Sequence, residues 1–173
     1  ARARRWRRST AVYRRRTAAA SAVSIDCLAV TDPSTLGLVG TGHQSNYQLE
    51  AALRVRSFEQ VKIWNRSSRD LSKHRALAES YGVTCSEASL EDVVRESQVI
   101  ITITSCMEAL FPSDWVNPGT HIAAMGTDTT GKQELDPDTP VENLKIVNQK
   151  YAYHPVPDKL RTLDGQIVDF VVA

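Results

Sequence analysis

The stretch that most constrains this chain is 36–45, Leu-Gly-Leu-Val-Gly-Thr-Gly-His-Gln-Ser, where a short apolar run breaks into two glycines spaced by one residue and then into helical sequence. A strand that turns this sharply into a helix aims backbone N–H groups and the positive end of a helix dipole at one point, which suits a pyrophosphate. Gly40 permits the tight exit from the strand, and Gly42 lets the backbone approach the phosphates. Ser45 stands where the third small residue of a GxGxxG fingerprint packs helix against strand.

Such a fingerprint counts only between a strand and a helix, with a group that reads the adenosine ribose about 20 residues later. Thr35–Val39 reads as a buried strand, and Tyr47, Leu49, Ala51, Ala52, Leu53 and Val55 give the apolar face of a helix. Gln60–Trp64 reads as a second strand, and it ends in Asn65-Arg66-Ser67. An acidic residue there would bond a 2′-hydroxyl and repel a 2′-phosphate, whereas Asn65, Arg66 and Ser67 offer a cation and donors. The pattern predicts NAD(P) binding with NADP preferred over NAD; the plainer alternative is that Arg66 opens a solvated loop.

At 173 residues with 42% hydrophobic side chains, the chain has the size and apolar content for one domain with a sizeable core. No apolar run is long enough to span a bilayer, so no membrane role is expected. Eight of the 21 Lys and Arg lie in the first 16 residues with none of the 20 Asp and Glu, so the body carries 13 basic against 20 acidic residues, a net of −7. A basic start of this kind can signal nucleic acid, an acidic membrane or a transit peptide. A lone arginine cluster without aromatic stacking platforms is more often a solvated tail, and no nucleic-acid partner is expected. Cys27, Cys85 and Cys106 are odd in number and widely separated, which disfavours a disulfide framework or zinc site and fits the reducing cytoplasm. His43, His74, His121 and His154 also lack ligand spacing, so no metal is expected.

Taken in order, residues 16–29 are rich in small helix formers and predict a helix, ended by Asp32-Pro33-Ser34. Residues 68–81 read as a mainly polar helix closed by Gly82, and 83–85 as a brief strand. Ser89 followed by acids predicts a capped helix, and 98–104, the most β-prone run, a strand buried on both faces. Thr104 and Ser105 then fall at the carboxyl edge of the sheet, where doubly wound proteins bind ligands. Residues 115–126 read as a turn and a further strand, 127–135 as a polar loop opening a short helix, and 144–148 as a last strand. Strands alternating with helices predict an α/β fold, a Rossmann-like doubly wound, mostly parallel sheet in three α/β/α layers. It would occupy residues 16–150, between a basic segment at 1–15 and a tail at 151–173 that offers at most a strand after Asp164-Gly165.

These residues resemble the ornithine cyclodeaminase and mu-crystallin family. The carriers are Arg16-Thr-Ala-Ala-Ala-Ser, Leu-Gly-Leu-Val-Gly-Thr-Gly-x-Gln, Val61-Lys-Ile-Trp-Asn-Arg, Trp115-Val-x-Pro-Gly-x-His-Ile-x-Ala-x-Gly and Gly126-Thr-Asp-Thr-Thr-Gly-Lys-Gln-Glu-Leu, five motifs in one order over 14–148. The resemblance implies that Arg16 grips a substrate carboxylate and that Thr17 lies near the cofactor phosphates. It places Gly40, Thr41, Gly42, His43 and Gln44 on the pyrophosphate, and Asn65, Arg66 and Ser67 at the adenosine end. Thr104, Ser105 and Gly126 would line the cofactor along the sheet edge. Asp128 matches the aspartate that cyclodeaminases use on the substrate amine or an attacking water; its plainer role is a loop acid capping a helix at Lys132.

The resemblance further implies hydride transfer from the substrate α-carbon to nicotinamide, giving an imine. In a cyclodeaminase the δ-amine of ornithine then attacks, ammonia leaves and the hydride returns to give proline. The cyclodeaminase is the expected activity; the alternatives are a ketimine reductase or amino-acid dehydrogenase, in which the hydride step ends in a released product, and a non-catalytic NADP-binding module. Family enzymes carry a substrate domain that forms the dimer and adds a lysine and a glutamate to the site. Those residues are missing here, so the chain is expected to be a fragment of a homodimeric parent acting on an amino acid or cyclic imine.

Overall fold

The computed structural model describes residues 2–126, 132–136 and 145–148, and for 2–11 and 145–148 the backbone alone. A long helix α1 (Arg2–Leu28) leads into β1 (Thr35–Val39), α2 (Ser45–Val55), β2 (Gln60–Trp64), α3 (Ser72–Ser80) and β3 (Thr84–Glu87). Then follow α4 (Leu90–Glu96), β4 (Val99–Thr102), a 3-10 turn at Ser113–Trp115, β5 (His121–Ala124) and β6 (Lys145–Asn148). The strands form one sheet in the order β3-β2-β1-β4-β5-β6, every neighbouring pair parallel. Leu38 pairs with Ile63 on one side and Ile101 on the other, and Ile101 pairs with Ala123. The order of travel reverses between β1 and β4, and that switch point is where open parallel sheets leave a crevice.

β1, β4 and β5 are buried at every residue, as their unbroken apolar runs require of strands covered on both faces. Alternation along the strands divides the core in two. Leu36, Leu38, Val99, Ile101 and Ala123 join Ile25 of α1, Leu49 and Leu53 of α2 and Ala78 of α3. Val39, Ile100 and Ile122 join Val93 and Val94 of α4, with Phe111 and Trp115. The expected three α/β/α layers are therefore present. Gly37 lets α4 pack close to the sheet, since a Cβ there would lie 2.9 Å from Val93 Cγ1 and 2.7 Å from Ser97 Oγ.

Several boundaries differ from expectation. α1 begins at Arg2 and not near Arg16, because arginine is itself a good helix former and nothing between them breaks the run. α3 begins at Ser72 and not at 68, because the Asp70 carboxylate accepts from Ser72 N and Ser72 Oγ, both at 2.9 Å, and fixes the start there. β3 lies one to two residues later than expected, at Thr84–Glu87. Residues 132–136 form no helix; their groups bond outward to the sheet edge. Asp128, His154 and the strand expected after Asp164-Gly165 lie outside the described residues. Among the described residues no helix is long and apolar enough to cross a membrane.

Candidate functional site

The switch point opens into a cavity of about 400 Å³. Its floor is the glycine turn. Gly40 has φ +103°, a conformation costly for any residue with a Cβ, and a Cβ there would also lie 2.7 Å from Ile103 O. The turn is tied to β2 by Gly40 N donating to Trp64 O at 2.9 Å and Thr41 N to Asn65 Oδ1 at 3.2 Å. Ser45 donates its hydroxyl to Gly42 O at 2.7 Å and lies 2.8 Å from His74 Nε2 of α3. His74 is buried, and burial lowers its pKa below the ordinary 6.5, against a smaller raising effect of Asp70. A neutral ring with its proton on Nε2 donates to Ser45, which donates onward, so α3 braces the turn from beneath.

The residues of the turn fit an anionic ligand. Where Gly42 would carry a Cβ there is open space within 4 Å. Gln44, the residue before α2, makes no side-chain cap to the helix, and its Oε1 and Thr41 Oγ1 are buried with no partner in the chain. Buried polar atoms without partners are costly; the Thr41 hydroxyl can donate to a phosphate oxygen, whereas Gln44 Oε1 only accepts and is satisfied by a ligand hydroxyl or a bound water. Arg66, Arg69 and Lys132 line the cavity, and among the described residues no Asp or Glu does. The wall is thus cationic, which draws in and holds a polyanion.

Of the sites expected from sequence, Gly40, Thr41, Gly42, His43 and Gln44 line the floor of this cavity. Asn65, Arg66 and Ser67 line the wall at the end of β2, with Asn65 also held to Ser67 through its Nδ2. Thr104, Ser105 and Gly126 line the wall beyond β4 and β5. Arg16 and Thr17 are not among the cavity's lining residues. Arg16 is exposed on α1, and Thr17 is buried with its hydroxyl donating to Tyr13 O of the same helix at 3.2 Å.

Arg69, Lys132, Glu134 and the bracing His74 escaped the sequence reading. Glu134 is 1% exposed and accepts four hydrogen bonds from the described residues. Its Oε1 receives Thr104 N and Thr104 Oγ1, each at 2.7 Å; its Oε2 receives Thr102 Oγ1 and Gly126 N, each at 2.8 Å. Residues 132–136 are further held by Leu110 N donating to Glu134 O at 3.0 Å and Gln133 N to Cys106 O at 3.2 Å. The motif around Glu134 was visible, but nothing in the local sequence marks which of its polar residues turns inward.

Residues 8–154 match the model of the ornithine cyclodeaminase/mu-crystallin family. The chain is 48% identical over 122 residues to an iminosuccinate reductase of Paracoccus denitrificans, covering 70% of this chain and 38% of the relative. The crystal structure of that reductase in complex with NAD+ is similar at a TM-score of 0.68, with 47% identity over 72% of this chain and 38% of that one. The Delta(1)-pyrroline-2-carboxylate reductase of Thermococcus litoralis, in complex with NADH and L-proline, is similar at 0.68, with 28% identity over 73% and 40% of the two chains. An archaeal alanine dehydrogenase dimer with bound NAD is similar at 0.65, with 35% identity over 69% and 37%. The chain therefore spans 37% to 40% of the length of these proteins.

Proposed function

Because the chain belongs to the ornithine cyclodeaminase/mu-crystallin family, we propose that it is the dinucleotide-binding part of an enzyme that moves a hydride between nicotinamide and the α-carbon of an amino acid or its imine. The observation that carries this is the cavity itself, a glycine turn with orphaned polar atoms beneath a cationic wall free of acids among the described residues. The nicotinamide, when bound, supplies the hydride acceptor or donor. Gly40 to Gln44 hold the pyrophosphate, Asn65, Arg66 and Ser67 hold the adenosine ribose, and Thr104, Ser105 and Gly126 face the nicotinamide end. Arg16 binds the substrate carboxylate and Asp128 moves the proton of the amine, both roles resting on the family resemblance.

NADP is preferred over NAD in this proposal, since Arg66 and Arg69 both face the cavity at the end of β2 where a 2′-phosphate would lie. The opposite preference is favoured by the relatives seen with NAD+, NADH and NAD. Titration with NADPH and NADH, followed by tryptophan and nicotinamide fluorescence, decides it. Loss of a charge-assisted contact in Arg66→Ala is expected to weaken NADPH about tenfold and to leave NADH nearly unchanged. Equal binding of both dinucleotides by the unaltered chain would remove the 2′-phosphate site.

For the reaction, reduction of a carboxylate-bearing imine is favoured over cyclodeamination by the iminosuccinate and pyrroline-carboxylate reductases among the relatives. Ornithine converted to proline and ammonia, with catalytic dinucleotide and no net reduction, would reverse that order. The homodimer is proposed from the dimeric archaeal alanine dehydrogenase, and sedimentation tests it.

A further inference from the structure

We propose that Glu134 is a positioning residue that sets the spacing between the ends of β4 and β5 and so shapes the nicotinamide end of the cavity. It rests on the dinucleotide proposal above. In a doubly wound sheet each half of the dinucleotide lies over one half of the strands. The adenosine side here is β1 and β2, with the glycine turn and Asn65 to Ser67. The other side is the edge of β4 and β5, where Thr104 and Gly126 line the cavity.

Beyond the last backbone bond between the two strands, Met125 N donating to Thr102 O at 2.8 Å, a single carboxylate bridges their ends. One oxygen of Glu134 takes Thr104 N at 2.7 Å and the other takes Gly126 N at 2.8 Å, so the two strand ends are bonded to two atoms of one rigid planar group. The fit is close, because a Cβ on Gly126 would lie 2.3 Å from both Glu134 Oε1 and Thr104 O. The same side chain anchors residues 132–136 and thereby sets Lys132 in the cavity wall.

The acceptor pattern explains why a carboxylate stands there. Each oxygen faces a backbone N–H, which cannot accept. The amide of Glu134→Gln would in either orientation press its NH2 against one of those N–H groups, although the shape is unchanged. Glutamine should therefore fail even though the chain folds. The turn at Gly40 to Gln44 shares no hydrogen bond with Glu134, so the adenosine side should be spared.

The test compares the chain with its Glu134→Gln and Glu134→Ala variants, titrated with the preferred reduced dinucleotide and with the matching ADP-ribose, which lacks nicotinamide. Dinucleotide affinity is expected to fall about tenfold in Glu134→Gln, with ADP-ribose changed by less than about twofold. Equal losses for both ligands, or no loss for either, would overturn the proposal. If the unaltered chain bound neither ligand, the dinucleotide proposal would fall. Amide hydrogen exchange then judges the clamp alone, with protection at Thr104 and Gly126 lost selectively in Glu134→Gln if the clamp exists and unchanged if it does not.

Discussion

Two glycines of the cavity are glycine for opposite reasons. Gly126 is enclosed, and a methyl there would meet Glu134 Oε1 and the Thr104 carbonyl at 2.3 Å; the carboxylate cannot retreat without breaking its bonds from Thr104 N and Gly126 N. Gly42 meets nothing within 4 Å, and its backbone is not in the left-handed region. Nothing in the fold requires a glycine there, and on the dinucleotide proposal its bare backbone serves the phosphates. Gly126→Ala should therefore cost about 1–3 kcal/mol of stability, as overpacking does, read as a lowered urea midpoint. Gly42→Ala should keep its unfolding free energy within about 0.5 kcal/mol while dinucleotide affinity falls by about tenfold or more. A destabilised Gly42→Ala chain, or one that binds normally, would mean that the open space is not where the phosphates sit.

At the scale of elements, the glycine turn is held by the helix two elements away. His74 on α3 reaches Ser45 at the start of α2, and its depressed pKa makes that support depend on pH. Between its ordinary 6.5 and the lower folded value the unfolded chain binds the proton and the folded chain does not. Stability contributed here is therefore complete above 6.5 and lost as pH falls through that window. Thermal midpoints from about pH 7.5 to about pH 5 should fall less steeply in His74→Gln, which keeps an N–H donor for Ser45 but does not titrate. Parallel profiles would place the titration elsewhere. The turn and α4 were legible in the sequence because their chemistry is contiguous: two glycines before a helix, and Ser89 accepting from Asp92 N three residues on. His74 and Glu134 were not, because their partners lie 29 and up to 32 residues away, and only the assembled sheet edge turns a polar helix residue or a loop acid into a buried support. The start of α1 lies earlier than the small-residue run at 16–29 implies, since helix propensity continues through the arginines before it.

Over the whole molecule, one sheet separates two cores that share strands but not side chains. Ile25 places α1 inside the larger core beside Leu49 of α2, and the helix is further joined to the body by Ser21 to Gln48, Ser24 to His121 at 3.2 Å and Asp26 to Arg56. Helix α1 is thus part of the fold from at least Thr17 onward and not an appendage to it, with Thr17, Ala18, Ser21 and Ser24 all buried. Leu49 and Ile122 are fully buried on opposite faces. Leu49→Ala should cost about 2–5 kcal/mol and Ile122→Val about 0.5–1.5 kcal/mol, a large share of the about 5–15 kcal/mol typical of a domain. Since the strands stand between them, their costs should add to within about 0.5 kcal/mol, whereas Leu49→Ala with Ile25→Val, inside one cluster, should depart from additivity by more. Denaturant unfolding of the singles and doubles measures both cycles. Coupling across the sheet as strong as coupling within one face would mean that the strands shift as a body when either core loosens, and the cavity at their ends would then feel damage to either face equally.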